Sequence, residues 1–115
     1  MAIQAIFAQL SCSKLDGSTN WFAILFGRKP DATPMQHLAE WHFADKAGFQ
    51  LFQNPQAAGK GTLTIIVSDI AGERTRVSKL EPGEIERADY VDLVRLHDPD
   101  GNLVVLAEPR NAPPH

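Results

Sequence analysis

The sequence predicts an α+β protein built from two copies of one supersecondary unit. The segment 13–17 (Ser-Lys-Leu-Asp-Gly) is echoed 55 positions later by the segment 68–72 (Ser-Asp-Ile-Ala-Gly). Each copy follows an apolar, β-prone run and precedes a stretch with helical periodicity. Half of a chain of 115 residues is too short to bury its own apolar face, so the two copies are expected to pack against each other.

Each half contains one predicted helix after its first strand. In the first half, Asp16 is a candidate N-cap for a helix over residues 17–26, and Gly27 supplies a left-handed stop. In the second half, Asp69 is a candidate N-cap for a helix that continues to Leu80. Apolar side chains recur on one side of both segments, which gives each helix a face for packing.

The remaining apolar runs predict strands. They cover residues 6–10, 37–43, 49–52, 61–67, 90–96 and 103–107, and each half has room for one more short strand, in the second half near Ile85. We expect a first module over 1–54, a connector over 55–60, a second module over 61–108 and a flexible, proline-rich tail over 109–115. The two modules together form one compact domain.

Composition limits the class of function. The chain has 11 Lys and Arg against 14 Asp and Glu, and its basic residues are scattered, so we expect no nucleic-acid partner. No apolar run approaches the roughly 20 residues that span a bilayer, and the N-terminus has no signal-peptide pattern, so we expect no membrane partner. The single cysteine, Cys12, cannot form an internal disulfide, which agrees with a reducing compartment. We therefore expect a cytoplasmic protein.

Three features carry a family resemblance. They are the two β-α-β-β-β halves, the segment 14–18 (Lys-Leu-Asp-Gly-Ser) followed by the apolar segment 21–27, and the turn Asp-Pro-Asp-Gly-Asn at 98–102 before an apolar strand. In this order and spacing they resemble the vicinal oxygen chelate superfamily, which includes glyoxalase I, extradiol dioxygenases and bleomycin resistance proteins. The resemblance covers the chain from about Ile3 to Pro109. It implies two βαβββ modules that form a curled mixed sheet around a concavity.

The resemblance also implies where a metal would be held. Members with a metal use ligands on the first and last strand of each half, and these positions correspond to Phe7, Gln50, Thr62 and Val105 in this sequence. Divalent metal sites need imidazole nitrogens or carboxylate oxygens, which this set does not offer. We therefore expect no metal and no cofactor, and a pocket that holds a small organic molecule without reacting with it. No catalytic residue is identified.

The period of two along each strand predicts which side chains line the concavity. We expect a ligand to contact residues on five strands, namely Phe7, Gln9, Trp41, Phe43, Gln50, Phe52, Thr62, Thr64 and Val105. For the strand 37–43, either the aromatic pair Trp41 and Phe43 or the polar pair Glu40 and His42 faces inward, and we favour the aromatic pair.

Two other functions stay open. One is a metal-dependent lyase, isomerase or dioxygenase with non-standard ligands drawn from His37, Glu40, His42 and His97. The other is a structural or interaction module whose concavity is filled by its own side chains. We also expect a homodimer, because single-domain members of this superfamily are frequently dimers and twofold symmetry is the commonest closed arrangement.

Overall fold

The computed structural model describes residues 2–110 and contains two four-stranded sheets, each covered on one side by a helix. The first module contains β1 (Ile6–Cys12), α1 (Leu15–Phe26), β2 (Ala32–Met35), β3 (Leu38–Phe43) and β4 (Ala47–Gln53). The second module contains β5 (Thr62–Ile66), α2 (Ile70–Arg76), a 3₁₀ turn (Ser78–Leu80), β6 (Glu86–Arg87), β7 (Val91–His97) and β8 (Leu103–Pro109).

The two sheets repeat the same topology and the same register. Their strand orders are β1-β4-β3-β2 and β5-β8-β7-β6, and in each the first strand is parallel to the last. Phe7 pairs with Gly48, and 55 positions later Thr62 pairs with Leu103. The predicted α+β fold of two matched modules is therefore present down to the pairing of individual residues.

Helix α1 begins earlier than the sequence predicts, and Asp16 does not cap it. The residue before the helix is Lys14, which makes no capping hydrogen bond with its side chain. Instead, Oε1 of Gln53, at the end of β4, accepts a hydrogen bond from the backbone N–H of Leu15 at 2.9 Å. The helix ends as predicted at Gly27, whose φ of 75° is left-handed.

Helix α2 is shorter than predicted. Asp69 caps it as expected, because its Oδ1 accepts a hydrogen bond from the N–H of Gly72 at 3.0 Å. The α-helix stops at Arg76, and the chain continues to Leu80 as a 3₁₀ turn whose i→i+3 hydrogen bonds satisfy carbonyls that would otherwise lack a partner. Glu108, the counterpart of Gln53 in the repeat, accepts a hydrogen bond from the N–H of Ile70 at 2.7 Å.

The last strand runs slightly past the end that the sequence predicts for it. Strand β8 extends to Pro109, and the guanidinium of Arg110 pairs with Asp92 at 2.6 Å. The remainder of the predicted tail, 111–115, lies outside the described residues.

A single hydrophobic core lies between the sheets and the helices and includes residues of both modules. Its members alternate along the strands and recur on the helices; they include Leu10, Phe22, Leu25, Trp41, Phe49, Leu51, Val77, Val94, Leu96, Val104 and Leu106. In the region covered by residues 2–110, neither helix has the length and apolar character that a bilayer crossing requires.

Candidate functional site

The side of the two sheets that points away from the helices is called the open face here. In the first sheet, an aromatic ring crosses this face. Gly48 has no side chain, and a Cβ there would overlap the ring of Phe7, so the ring lies over β4. Phe7 thereby meets the edge of the His42 imidazole on β3, with ring centroids 5.9 Å apart.

A chain of hydrogen bonds runs beside this aromatic pair across three strands. Gln9 donates from Nε2 to Oε1 of Gln50 at 3.0 Å, and Gln50 donates from its own Nε2 to Oε2 of Glu40 at 2.8 Å. The other oxygen of Glu40 lies 2.6 Å from Nε2 of His42. The hydrogen bonds from Gln50 and His42 lower the pKa of the Glu40 carboxyl below its usual value.

The open face of the second sheet carries different side chains at the equivalent positions. Thr62, Thr64 and Val105 project from β5 and β8, whereas Val104 and its neighbours in the alternation are buried in the core. Arg95 stands where Glu40 stands in the first sheet, and its Nε donates to Glu86 at 2.9 Å.

The structure contradicts the predicted orientation of Trp41 and Phe43. Trp41 is fully buried on the helix side of β3, where it lies 5.3 Å from Phe26 between ring centroids and donates from Nε1 to the carbonyl of Arg28 at 3.0 Å. Phe43 also packs on Phe26, at 4.9 Å. The alternative pair, Glu40 and His42, occupies the open face. The reason is that helix α1 offers an aromatic surface against which the larger rings bury.

The other predicted contact residues fall in two groups. Phe7, Gln9 and Gln50 are brought together in the first sheet, and Phe52 lies one step further along the same side of β4. Thr62, Thr64 and Val105 lie on the second sheet. No hydrogen bond among the described side chains connects these two groups.

Hydrogen bonds hold the modules together at one end of the seam between β1 and β5. Asn102 is fully buried; its Nδ2 donates to the carbonyl of Ser11 at 2.9 Å, and its Oδ1 accepts from the N–H of Gly61 at 2.9 Å. Asp98 accepts a second bond from Asn102 Nδ2 at 2.8 Å. The sequence identifies the segment 98–102 as a turn and as one feature of the family resemblance, and it does not predict that Asn102 bridges the two modules.

No protein-family model and no curated protein matches the sequence, but the fold is similar to that of solved structures. A glyoxalase/bleomycin resistance protein from Catenulispora acidiphila is 25% identical with a TM-score of 0.83, over 91% of this chain and 97% of that one. The chain has the glyoxalase/bleomycin-resistance fold. This is the fold of the vicinal oxygen chelate superfamily, in agreement with the resemblance seen in the sequence.

Two further structures share the glyoxalase/bleomycin-resistance fold. TnmS3, an antibiotic binding protein from Streptomyces, is 19% identical with a TM-score of 0.79, over 95% of this chain and 98% of that one. A lactoylglutathione lyase from Agrobacterium tumefaciens is 22% identical with a TM-score of 0.73, over 90% of this chain and 91% of that one. The fold therefore includes both binding proteins and enzymes, and the site must decide between them.

The metal positions that the superfamily implies do not fit a metal in this chain. Phe7 and Val105 have no donor atom, Thr62 has a hydroxyl, and the amide of Gln50 is engaged with Gln9 and Glu40. Among residues 2–110, no three side chains of His, Cys, Asp or Glu come together as a metal site requires.

Cys12 is not suited to act as a nucleophile. The thiol is fully buried, and burial raises its pKa to about 11, with the Asp100 and Asp98 carboxylates adding to the effect. A hydrogen bond with Ser18 acts in the opposite direction and is outweighed. The thiolate that a nucleophile needs is therefore disfavoured at neutral pH.

Proposed function

We propose that this chain is a binding protein that holds a small aromatic or amphipathic organic molecule on the open face, without the metal of its superfamily. The observation that carries the proposal is the pairing of an exposed aromatic contact, Phe7 with His42, and an adjacent row of amide groups on Gln9 and Gln50. Rings give a stacking surface, and amides fix the orientation of a polar group.

The polar groups of this row satisfy one another without a ligand. Gln50 bonds to Gln9 on one side and Glu40 on the other, and Glu40 also contacts His42. Such a row is pre-organised, so binding does not have to order it first. The proposal also draws on TnmS3, which has the same fold and is an antibiotic binding protein.

The alternative of a structural module with a filled concavity is less well supported. Phe7 is 38% exposed, and Gln9, Thr62 and Thr64 are exposed as well. Side chains that filled a concavity would be buried by one another.

The alternative of a metal-dependent enzyme has one observation in its favour, the contact of Glu40 with His42 at 2.6 Å. A carboxylate and an imidazole are suitable ligands, but two are fewer than a site needs. His37 and His97 do not join them in a cluster within the described residues. We therefore keep the enzyme as the second candidate, to be decided by experiment.

The experiment is a thermal-shift screen of small aromatic compounds together with metal analysis of the purified protein. A compound that binds the folded state raises the melting temperature by mass action. We expect Phe7→Ala to reduce the shift caused by a hit compound at least fivefold, whereas Tyr90→Ala, which removes an aromatic ring exposed elsewhere, leaves it unchanged.

Metal analysis decides between the two candidates. We expect less than a tenth of an equivalent of zinc, nickel, manganese or iron per chain, and no change in melting temperature with EDTA. One equivalent of metal that is lost in His42→Ala would instead establish the enzyme candidate and end the proposal of a metal-free site.

We further propose a cytoplasmic homodimer. Met35 is 60% exposed on β2, the edge strand of the first sheet that lies away from the seam, and an unpaired strand edge with an exposed apolar side chain can pair with another chain. The cytoplasm suits a chain whose one cysteine is a buried free thiol. Light scattering during size-exclusion chromatography at micromolar concentration is expected to give twice the mass of the chain; the mass of a single chain would contradict the dimer.

A further inference from the structure

The seam between the two modules is bridged differently at its two ends. β1 and β5 lie side by side, but within residues 2–110 no backbone hydrogen bond joins them, because each is the edge strand of its own sheet. At one end Asn102 fills the gap and bonds to Ser11 and Gly61. The strands approach closely there, since a Cβ on Gly61 would lie 2.5 Å from Cδ2 of Leu10.

At the other end, the repeat places small residues where the bridge would be. Ala47 corresponds to Asn102, and Gly48 corresponds to Leu103, so neither position has a side chain that reaches across the seam. A cavity of about 370 Å³, here called the seam cavity, opens between the strands. Its walls are formed by Ala8, Phe26, Phe43, Phe49, Leu63 and Ile65.

The seam cavity is apolar and offers no charge to a ligand. Among the described residues that line it, Thr64 is the one with a polar side chain. A second cavity of about 430 Å³ adjoins it and contains Arg76. That guanidinium donates to two carbonyls in the last turn of α1 and pairs with Glu73 at 3.0 Å, so its charge is already compensated within the fold.

We propose that the seam cavity binds an uncharged, flat apolar molecule the size of about two fused aromatic rings. Three phenylalanine rings give it stacking surfaces, and its volume lies within the range of small-molecule sites. Apolar cavities bind water poorly but accept apolar ligands. The ligand bridges the strands at the end of the seam where Asn102 has no counterpart. The cavity shares Thr64 with the open face of the second sheet but no residue of the hydrogen-bonded network on the first sheet, so the proposal stands whether or not that network binds a ligand.

The test uses the full-length protein and N-phenyl-1-naphthylamine, an uncharged probe whose fluorescence rises in apolar surroundings. We expect a saturable rise with one probe per chain and a higher melting temperature with the probe present. Ala47 lines the cavity and is solvent-exposed, so Ala47→Leu places a larger side chain at the opening and is expected to weaken the affinity at least tenfold. Ala57→Leu makes the same change at an exposed position of the connector and is expected to leave the affinity unchanged.

A second variant tests the wall instead of the opening. Phe43→Ala removes one ring of the cavity and is expected to weaken binding at least fivefold, while circular dichroism checks that both variants are folded. A wild-type protein without a saturable rise, or Ala47→Leu with unchanged affinity, overturns the proposal. So does a signal that falls as protein concentration rises, because a second copy of the chain would then be the occupant of the cavity.

Discussion

Glu40 is the one acidic side chain at the centre of the open-face network, and its ionisation links the network to pH. Its folded pKa is lowered, first by the hydrogen bond from Gln50 and then by His42, so its stabilising contribution is present above the unfolded pKa. That contribution is lost as the pH falls through the folded pKa. We expect Glu40→Gln to lower the melting temperature at pH 7, and the difference from wild type to shrink steadily between pH 5 and pH 3, as followed by circular dichroism.

The control for this change is Glu84→Gln, because the side chain of Glu84 is 93% exposed. Its melting temperature is expected to follow that of the wild type at every pH. A Glu40→Gln curve that runs parallel to the wild type down to pH 3 would contradict the role given to the carboxylate.

The backbone conformation at position 59 requires glycine. Its φ is +84°, and a Cβ there would overlap the carbonyl oxygen of Asp100 in the turn that contains Asn102. We expect Gly59→Ala to lower the free energy of unfolding by about 2 kcal/mol or more, measured with urea.

Gly17 is the matched control for that prediction. It lies in α1 with open space around it, so Gly17→Ala is expected to raise the free energy of unfolding by about 0.5–1 kcal/mol. Two alanine substitutions of equal effect would show that neither backbone conformation nor space matters at these positions.

At the scale of the elements, periodicity predicts the helices and strands that nearby residues determine. It does not predict boundaries that depend on residues far away in the sequence. The strands and both helices were found because alternation and the caps at Asp69 and Gly27 are encoded nearby. The start of α1 was misplaced because its capping group, Gln53, lies 38 positions away on β4. A contact of that kind is invisible until the strand has been placed beside the helix.

The candidate site was predictable to the same extent. The period of two put Phe7, Gln9 and Gln50 on one side of their strands. It does not determine which side chains of β3 face the open side of the sheet, since either pair on that strand, Trp41 with Phe43 or Glu40 with His42, suits a ligand. The orientation of β3 is set by packing of Trp41 against Phe26 of α1. The bridging role of Asn102 is not predicted from the sequence because its partner Ser11 lies in the other module.

The capping of α1 by β4 gives a prediction for a helix and a strand together. Gln53→Ala removes the acceptor for the N–H of Leu15 and is expected to cost about 1 kcal/mol of unfolding free energy. Gln53→Glu copies Glu108 of the second module and adds a negative charge at the helix N-terminus, which is expected to raise stability by about 0.3–1 kcal/mol.

Urea unfolding at low ionic strength measures both changes, and Gln56→Glu in the exposed part of the connector serves as the control. Added salt should reduce the gain from Gln53→Glu because it screens the helix dipole. A gain of the same size in the control variant would assign the effect to net charge and not to the cap.

For the whole molecule, the decisive feature is that two matched modules share one core. Strand register, helix caps and buried positions all repeat at an offset of 55 residues. The two sheets nevertheless stay separate, because β1 and β5 are each the edge strand of their own sheet at the seam. What joins them is apolar packing and a few bonds, including Ser13 N–H to Asp100 at 3.0 Å and Arg76 to the end of α1. Modules joined in this way are expected to unfold together, because neither buries its apolar face alone.

Two probes can test this, since both tryptophans, Trp21 and Trp41, lie in the first module, whereas far-UV circular dichroism reports on both. We expect the two urea midpoints of the wild type to coincide.

Asn102→Ala leaves the N–H of Gly61 and the carbonyl of Ser11 without the partners that Asn102 provides. Both midpoints should therefore fall together, and the free energy of unfolding should decrease by about 2–3 kcal/mol. Asn20→Ala, at an exposed position of α1, should lose far less. Tryptophan and circular dichroism midpoints that separate in the wild type would mean that the modules fold independently, and the seam would then be an interface between two domains.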